Sequence, residues 1–239
     1  MSALDLTIAA QVAEYWQRER ELEQASPLGT ARRHASEATT AERQRLAADG
    51  VPAGVIAPGT ALRDARLIDP FGTETTLYQA IPAGQPAVIV FYRGAWCPFC
   101  NITLHTYQEV LLRQLQRRDV ALVAVSPQKP DGSLTMLQKH HLTFPVLSDP
   151  GLKLAGQVGV VMHLSEVTRQ AVIDAGLNFA ARNADGSPAL PMPTVLLLDA
   201  ELVVRWIKVN PDWTERSEPA EILAAVDDLT LAAETLSPR

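Results

Sequence analysis

Only two of the 239 residues are cysteine, which excludes a secreted scaffold stapled by several disulfides. There is no long basic run, and the net charge is −6, so binding nucleic acid by phosphate neutralisation is excluded as a main activity. Long apolar runs are missing too. The longest, around Ala87–Tyr92 and Val195–Leu198, fall far short of the stretch that crosses a bilayer. No repeat, low-complexity tract or glycine-rich phosphate loop is present, so neither a solenoid nor a nucleotide cofactor is expected. Met1–Leu6 lacks a basic start and carries Asp5, so no secretory signal is expected and a reducing cytoplasm is the expected compartment. What remains is a chain with 47% hydrophobic and 20% charged residues, the profile of a folded protein with a sizeable core.

Residues 1–50 differ in character from the rest. Leu4, Ile8, Val12, Tyr15, Trp16 and Leu22 recur mostly at three- and four-residue steps, predicting an amphipathic helix that ends near Ser26-Pro27. A second helix follows, with Thr39 and Glu42 in capping-box spacing and Gly50 as its stop. The apolar stripe needs a partner, so this arm is a homodimer contact, a cover for the main domain, or an appended helical pair that packs locally. From residue 51 the pattern becomes alternating strands and helices. Turn residues between Gly54 and Leu77 mark a hairpin, Ala87–Tyr92 and Val120–Ser126 read as buried strands, and Pro98 opens a helix reaching about Arg118. That is a βαβ unit with a parallel crossover. A helix over 131–142, a short strand at Phe144–Leu147 and a helix near Leu164–Ala175 follow. The antiparallel pair Thr194–Asp199 and Leu202–Lys208 then leads to a helix starting at Glu218-Pro219. The division is a helical arm over 1–50 and an α/β domain over 51–239, with βαβ then ββα around a mixed sheet.

Chemistry concentrates in Phe91-Tyr-Arg-Gly-Ala-Trp-Cys97-Pro-Phe-Cys100, where a buried strand passes into a helix. Amides of a helix's first turn have no intrahelical partner and create a positive local field. A thiolate there is stabilised, so Cys97 is expected to ionise below the ~8.5 of a free thiol. Cys100 follows nearly one turn later, within bonding reach. The expectation is an exposed, activated Cys97 with a sheltered Cys100 behind it, arranged for thiol–disulfide exchange. Pro98 loses no hydrogen bond in a first turn and fixes the backbone between the sulfurs. Trp96 is expected to wall one side, and Arg93 either adds positive potential or points into water.

Trp-Cys-Pro-Phe-Cys after a buried strand resembles the active site of the thioredoxin superfamily. The longer segment from Phe91 to Cys100 is similar to the alkyl hydroperoxide reductase C / thiol-specific antioxidant family, its peroxiredoxin-like branch, and the similarity extends over about residues 54–230. The resemblance implies a thioredoxin-like fold and redox catalysis through Cys97 and Cys100. It also implies a cis Pro193 facing the pair, with the Met192 backbone beside Cys97 and able to receive an incoming disulfide chain. Two departures stand out. The family places Thr or Ser three residues before its peroxide-attacking cysteine; here Gly94 precedes Cys97, and Cys97 itself precedes Cys100. Where the family's arginine is expected, at the entry to the late hairpin, stand Pro193 and Thr194, and Arg205 lies too far along.

Three functions stay open. The resemblance favours an antioxidant thiol peroxidase acting on hydroperoxides, recycled by a thiol reductant of the thioredoxin or glutathione type. The departures favour a protein disulfide oxidoreductase, and a non-catalytic thioredoxin-fold interaction protein is the reading of another class. No metal is expected: His140 and His141 diverge as neighbours, and one CxxC pair supplies only two of zinc's four ligands. His105 is expected at the surface, Trp206 and Trp213 in the core or its rim. Residues 151–190 form either a wall over the cysteines or a packing insertion.

Overall fold

The computed structural model describes residues 7–25, 29–130 and 141–236. Two helices come first, α1 (Ile8–Ala25) and α2 (Thr30–Asp49). Then follow β1 (Arg66–Ile68), β2 (Glu74–Thr76), α3 (Leu77–Ala80), β3 (Ala87–Phe91) and α4 (Pro98–Thr106). A π-helical segment at Tyr107–Leu111 joins α4 to α5 (Leu112–Gln116), and β4 (Ala121–Ser126) and β5 (Val146–Ser148) come next. The remaining elements are α6 (Lys153–Val158), β6 (Val161–Met162), α7 (Glu166–Asp174), α8 (Phe179–Arg182), β7 (Leu190–Pro191), β8 (Thr194–Leu198), β9 (Val204–Val209) and α9 (Pro219–Leu236).

Seven strands form one mixed sheet in the order β2-β1-β5-β4-β3-β8-β9. The apolar run Ala87–Phe91 sits at its interior, with all five residues buried, as an uninterrupted hydrophobic strand requires. It pairs in parallel with β4, Ile89 opposite Val123, and antiparallel with β8, Ile89 opposite Leu196. The crossover from β3 to β4 through α4 and α5 is the expected βαβ unit, and β8–β9–α9 is the ββα half. This is a thioredoxin-like arrangement. It places the end of β3, and so the first turn of α4, at the carboxyl edge of the parallel strands, where α/β sheets build sites.

The arm packs onto this frame. Ile8, Val12, Ala35 and Leu46 join the same buried cluster as the sheet residues. The capping-box reading of Thr39 and Glu42 is incorrect. Both lie inside the twenty-residue α2, where Thr39 Oγ1 donates back to the Ala35 carbonyl at 2.7 Å. Glu42 instead turns inward, accepting from Ser165 N at 3.1 Å and from Arg45 Nη2 at 2.8 Å. The helix from Pro98 is also not uniform, since its middle turn is π-helical, a widening that periodicity alone does not reveal. The helix expected over 131–142 falls mainly on residues 131–140, outside those described. Among the described residues, no helix is long and apolar enough to cross a membrane.

Candidate active site

Where β3 ends, the chain turns through Gly94, and the Cys97 amide donates to the Gly94 carbonyl at 3.1 Å. Glycine is required here. Its φ is +149°, and a Cβ would stand 2.4 Å from Trp96 Nε1 and 2.6 Å from Gln128 Oε1, closer than atoms pack. Gln128, from the loop after β4, holds the turn by accepting from Ala95 N at 2.6 Å. Cys97 is then the N-cap of α4, in extended conformation, with Pro98 in the first turn. Its sulfur accepts from the Cys100 amide at 3.4 Å, so it occupies the place a capping side-chain oxygen usually takes.

Arg93 does not point into water. Only 6% of it is exposed, and its Nη2 donates to Cys97 Sγ at 3.1 Å. The guanidinium lies between two indoles, 5.3 Å from the ring centre of Trp96 and 5.0 Å from that of Trp213. Such cation–π contacts fix its direction and lessen the cost of burial. Its Nε and the indole Nε1 of Trp96 are buried N–H donors with no hydrogen-bond acceptor among the described residues. Trp96 also packs on Phe179 of α8, ring centres 4.6 Å apart, so the segment 151–190 touches a residue of the motif.

A second cation escaped sequence reasoning. Arg216, in the loop before α9, donates through Nη1 to the carbonyls of Trp213 and Glu215, both at 2.6 Å, and its Nη2 stands 3.5 Å from Cys100 Sγ. The loop is tied down by Tyr107, whose hydroxyl donates to the Ser217 carbonyl at 2.6 Å. Arg216 follows Cys100 by 116 residues, and no periodicity or spacing links the two. Trp213 and Gln128 were missed as site residues for the same reason.

The electrostatics separate the two thiols. Burial opposes charge on Cys97, but hydrogen bonds from Cys100 and the nearby guanidinium groups of Arg93 and Arg216 outweigh it, holding Cys97 well below the ordinary thiol range. Cys100 is pushed well up, by burial first and then by its hydrogen bond to Cys97 and that residue's charge. The surroundings thus favour the thiolate at Cys97 and the protonated thiol at Cys100. The expected exposure of Cys97 is corrected: it is 0% exposed and Cys100 1%. Tyr15 and Trp16 of α1 pack on Phe99, the residue between the motif's Pro98 and Cys100, at 5.5 and 5.4 Å between ring centres.

The cis Pro193 is corrected as well. No described peptide bond is cis, in keeping with the general trans preference of X–Pro bonds. The chain runs extended through this point from β7 into β8. Met192 N donates to Val160 O at 2.8 Å and Pro193 O accepts from Asn210 N at 2.9 Å, while Met192 O accepts from Thr194 Oγ1 at 3.0 Å. The Met192 amide is therefore committed to Val160, and its carbonyl already holds one of the two donors it can accept. Pro193 does lie in the site, lining a small cavity with Cys100, Thr194, Asn210 and Arg216. Arg205 pairs with Asp199 at 2.7 Å, His105 is exposed, and no cluster of metal ligands exists among the described residues.

Comparison with known proteins agrees with this frame. Residues 54–207 match the family model described as the AhpC/TSA family. Among solved structures, peroxidoxin BcpB from Mycobacterium tuberculosis is 20% identical, with 73% of this chain and 98% of that chain covered and a TM-score of 0.56. Reduced Prx3 from Vibrio vulnificus, solved in complex with H2O2, is also 20% identical, covering 72% and 99% with a TM-score of 0.58. A yeast mitochondrial 1-Cys peroxiredoxin is 13% identical, covering 75% and 79% at 0.56. A search of curated proteins finds no match. With its family match spanning well over half its length, the chain belongs to the AhpC/TSA family, the peroxiredoxin-like antioxidant oxidoreductases of thioredoxin fold.

Proposed function

We propose that the protein is a thiol peroxidase that works through Cys97 and Cys100. The observation that carries the reading is Arg93: a buried guanidinium that donates to the Cys97 sulfur while keeping its Nε–H without an acceptor. The first contact holds the nucleophile ionised. The spare donor, with that of Trp96, is available to the oxygens of a hydroperoxide, a duty that neither Gly94 nor Thr194 performs here.

In the first step the Cys97 thiolate attacks the terminal oxygen of ROOH. An S–O bond forms, the O–O bond breaks, and RO⁻ leaves as ROH after taking a proton from water. Arg93 stabilises the charge that develops on the leaving oxygen. The Cys100 thiol then attacks the sulfur of the sulfenic acid, an S–S bond forms, and the hydroxyl departs as water with the Cys100 proton. Arg216 faces the sulfur on which negative charge develops in this step. Two reductant thiols, of the thioredoxin or glutathione type, reopen the disulfide and leave as a disulfide themselves.

The Cys-Pro-Phe-Cys spacing also favours a second reading, reduction of protein disulfides. The committed Met192 amide and the burial of both sulfurs weigh against it, and an ionised Cys97 weighs against a purely non-catalytic role. Peroxide consumption measured with reductant in the wild type, Cys97→Ser and Cys100→Ser decides. The expected outcome is loss of turnover in Cys97→Ser and, in Cys100→Ser without reductant, one equivalent of peroxide consumed and a sulfenic acid left at Cys97. Insulin reduction without peroxide turnover overturns the peroxidase reading.

A further inference from the structure

Helix α1 lies outside the matched family segment, which begins at residue 54, yet it reaches the candidate site. Its first two turns are tied to the body. The amides of Ile8 and Ala9 donate to the Glu218 carboxylate at 3.0 and 2.9 Å, and Gln11 Nε2 donates to Thr106 Oγ1 of α4 at 3.0 Å. Ile8 and Val12 are buried. Attachment then ends in the aromatic cluster of Tyr15, Trp16 and Phe99, and residues 17–23 are all exposed. A carboxylate at a helix N-terminus is a favourable pairing, so α1 is held at one end and clamped by two aromatic side chains beside the cysteines.

Tyr15 is close enough to Cys97 for the thiolate's charge, after burial and Glu19, to raise its own pKa. On other sides stand Trp96 on Phe179, and Arg93 against Trp213. Attack on a disulfide runs along the S–S axis and needs the attacking sulfur in contact. A molecule of a few heavy atoms meets that demand through small side-chain movements. A folded protein thiol brings a surface of its own to the Phe99 side of the motif, where Tyr15 and Trp16 of α1 stand. Of the Met192 backbone that would align such a chain, the amide is already given to Val160.

We propose that α1, through Tyr15 and Trp16, is a size filter that restricts the Cys97–Cys100 pair to small hydroperoxides and low-molecular-weight thiols and keeps protein thiols out. This rests on the peroxidase reading and narrows it, assigning the recycling step to a small thiol. Two such thiols reduce the disulfide in sequence, through one mixed disulfide at the site, and leave as their own disulfide.

The test uses the full-length protein oxidised with one equivalent of peroxide, then reduced by dithiothreitol or by reduced thioredoxin, with free thiols counted over time. In the wild type dithiothreitol restores both thiols while thioredoxin is slow. In Tyr15→Ala/Trp16→Ala the thioredoxin rate rises at least about tenfold, the scale set by losing two aromatic contacts, and the dithiothreitol rate changes much less. Glu218→Ala, which frees the start of α1 and leaves Tyr15 and Trp16 in place, moves the ratio in the same direction and guards against misfolding of the double variant. Equal thioredoxin rates in all three proteins, or a wild type reduced by thioredoxin as readily as it reduces insulin, overturn the filter alone. If peroxide leaves both thiols free, the peroxidase reading fails and the filter with it.

Discussion

At the scale of single residues, the site is a contest between burial and charge that Cys100's hydrogen bond and the guanidinium of Arg93 decide together. A thiolate with no solvent contact is costly unless donors face it, and Cys97 has the Cys100 amide on one side and a guanidinium on the other. The sequence shows the first donor, because a helix start after a buried strand is legible from the pattern of Ala87–Cys100. It does not show the second: whether Arg93 turns inward depends on Trp213, which arrives from more than a hundred residues away. Removing the guanidinium should therefore act on both ionisation and turnover. In Arg93→Ala the pH midpoint of Cys97 alkylation moves upward, and peroxide turnover falls by about a hundredfold, as when one donor to a developing oxyanion is lost. Stopped-flow alkylation across pH and peroxide assays read the two effects separately. Arg93→Lys is expected to recover the midpoint better than the turnover, because lysine restores a charge but not the fork of donors.

Elements were legible to the degree that their signals are local. The buried strands, the crossover and the late hairpin follow from apolar runs and turn residues, and they stand where expected. Thr39 and Glu42 misled because capping-box spacing recurs by chance inside polar helices, and only the packing of α2 against α7 shows what Glu42 is for. Its carboxylate is 4% exposed and takes the Ser165 amide, Arg45 and the Thr168 hydroxyl. In Glu42→Ala the Ser165 amide loses that acceptor, a loss worth about 1–3 kcal/mol, and urea denaturation should show a lower midpoint with little change in slope. Burial alone would raise the Glu42 pKa, but its hydrogen bonds with Arg45 and Ser165 hold it below the usual range. A group depressed in the folded state stabilises above its unfolded value and loses that contribution as pH falls through the folded one. The gap between wild type and Glu42→Ala is therefore expected to narrow in acid.

Across the whole molecule, the contacts that finish the site join distant parts of the chain: Ile8 to Glu218, Tyr107 to Ser217, Arg216 to Cys100. None leaves a mark in local sequence, which is why a cover by the arm stood as only one of its open readings and the second cation was invisible before the fold was known. The same convergence couples the nucleophile to global stability. In the unfolded chain Cys97 ionises near ~8.5; in the folded protein the thiolate is held far below that. Folding thus favours the ionised form, and this contribution is complete above the unfolded value. It shrinks as pH falls between the two values and vanishes below the folded one, where both states carry the thiol. Cys97→Ser has no such group. The expected outcome is that the reduced wild type loses thermal stability relative to Cys97→Ser as pH falls from about 9 toward the folded thiolate value, then runs parallel to it below that pH. Differential scanning calorimetry of both proteins under strict reduction reads the difference directly. A gap independent of pH across this window would mean that Cys97 is protonated in the folded protein, and would remove the electrostatic basis on which Arg93 and Arg216 are assigned their parts.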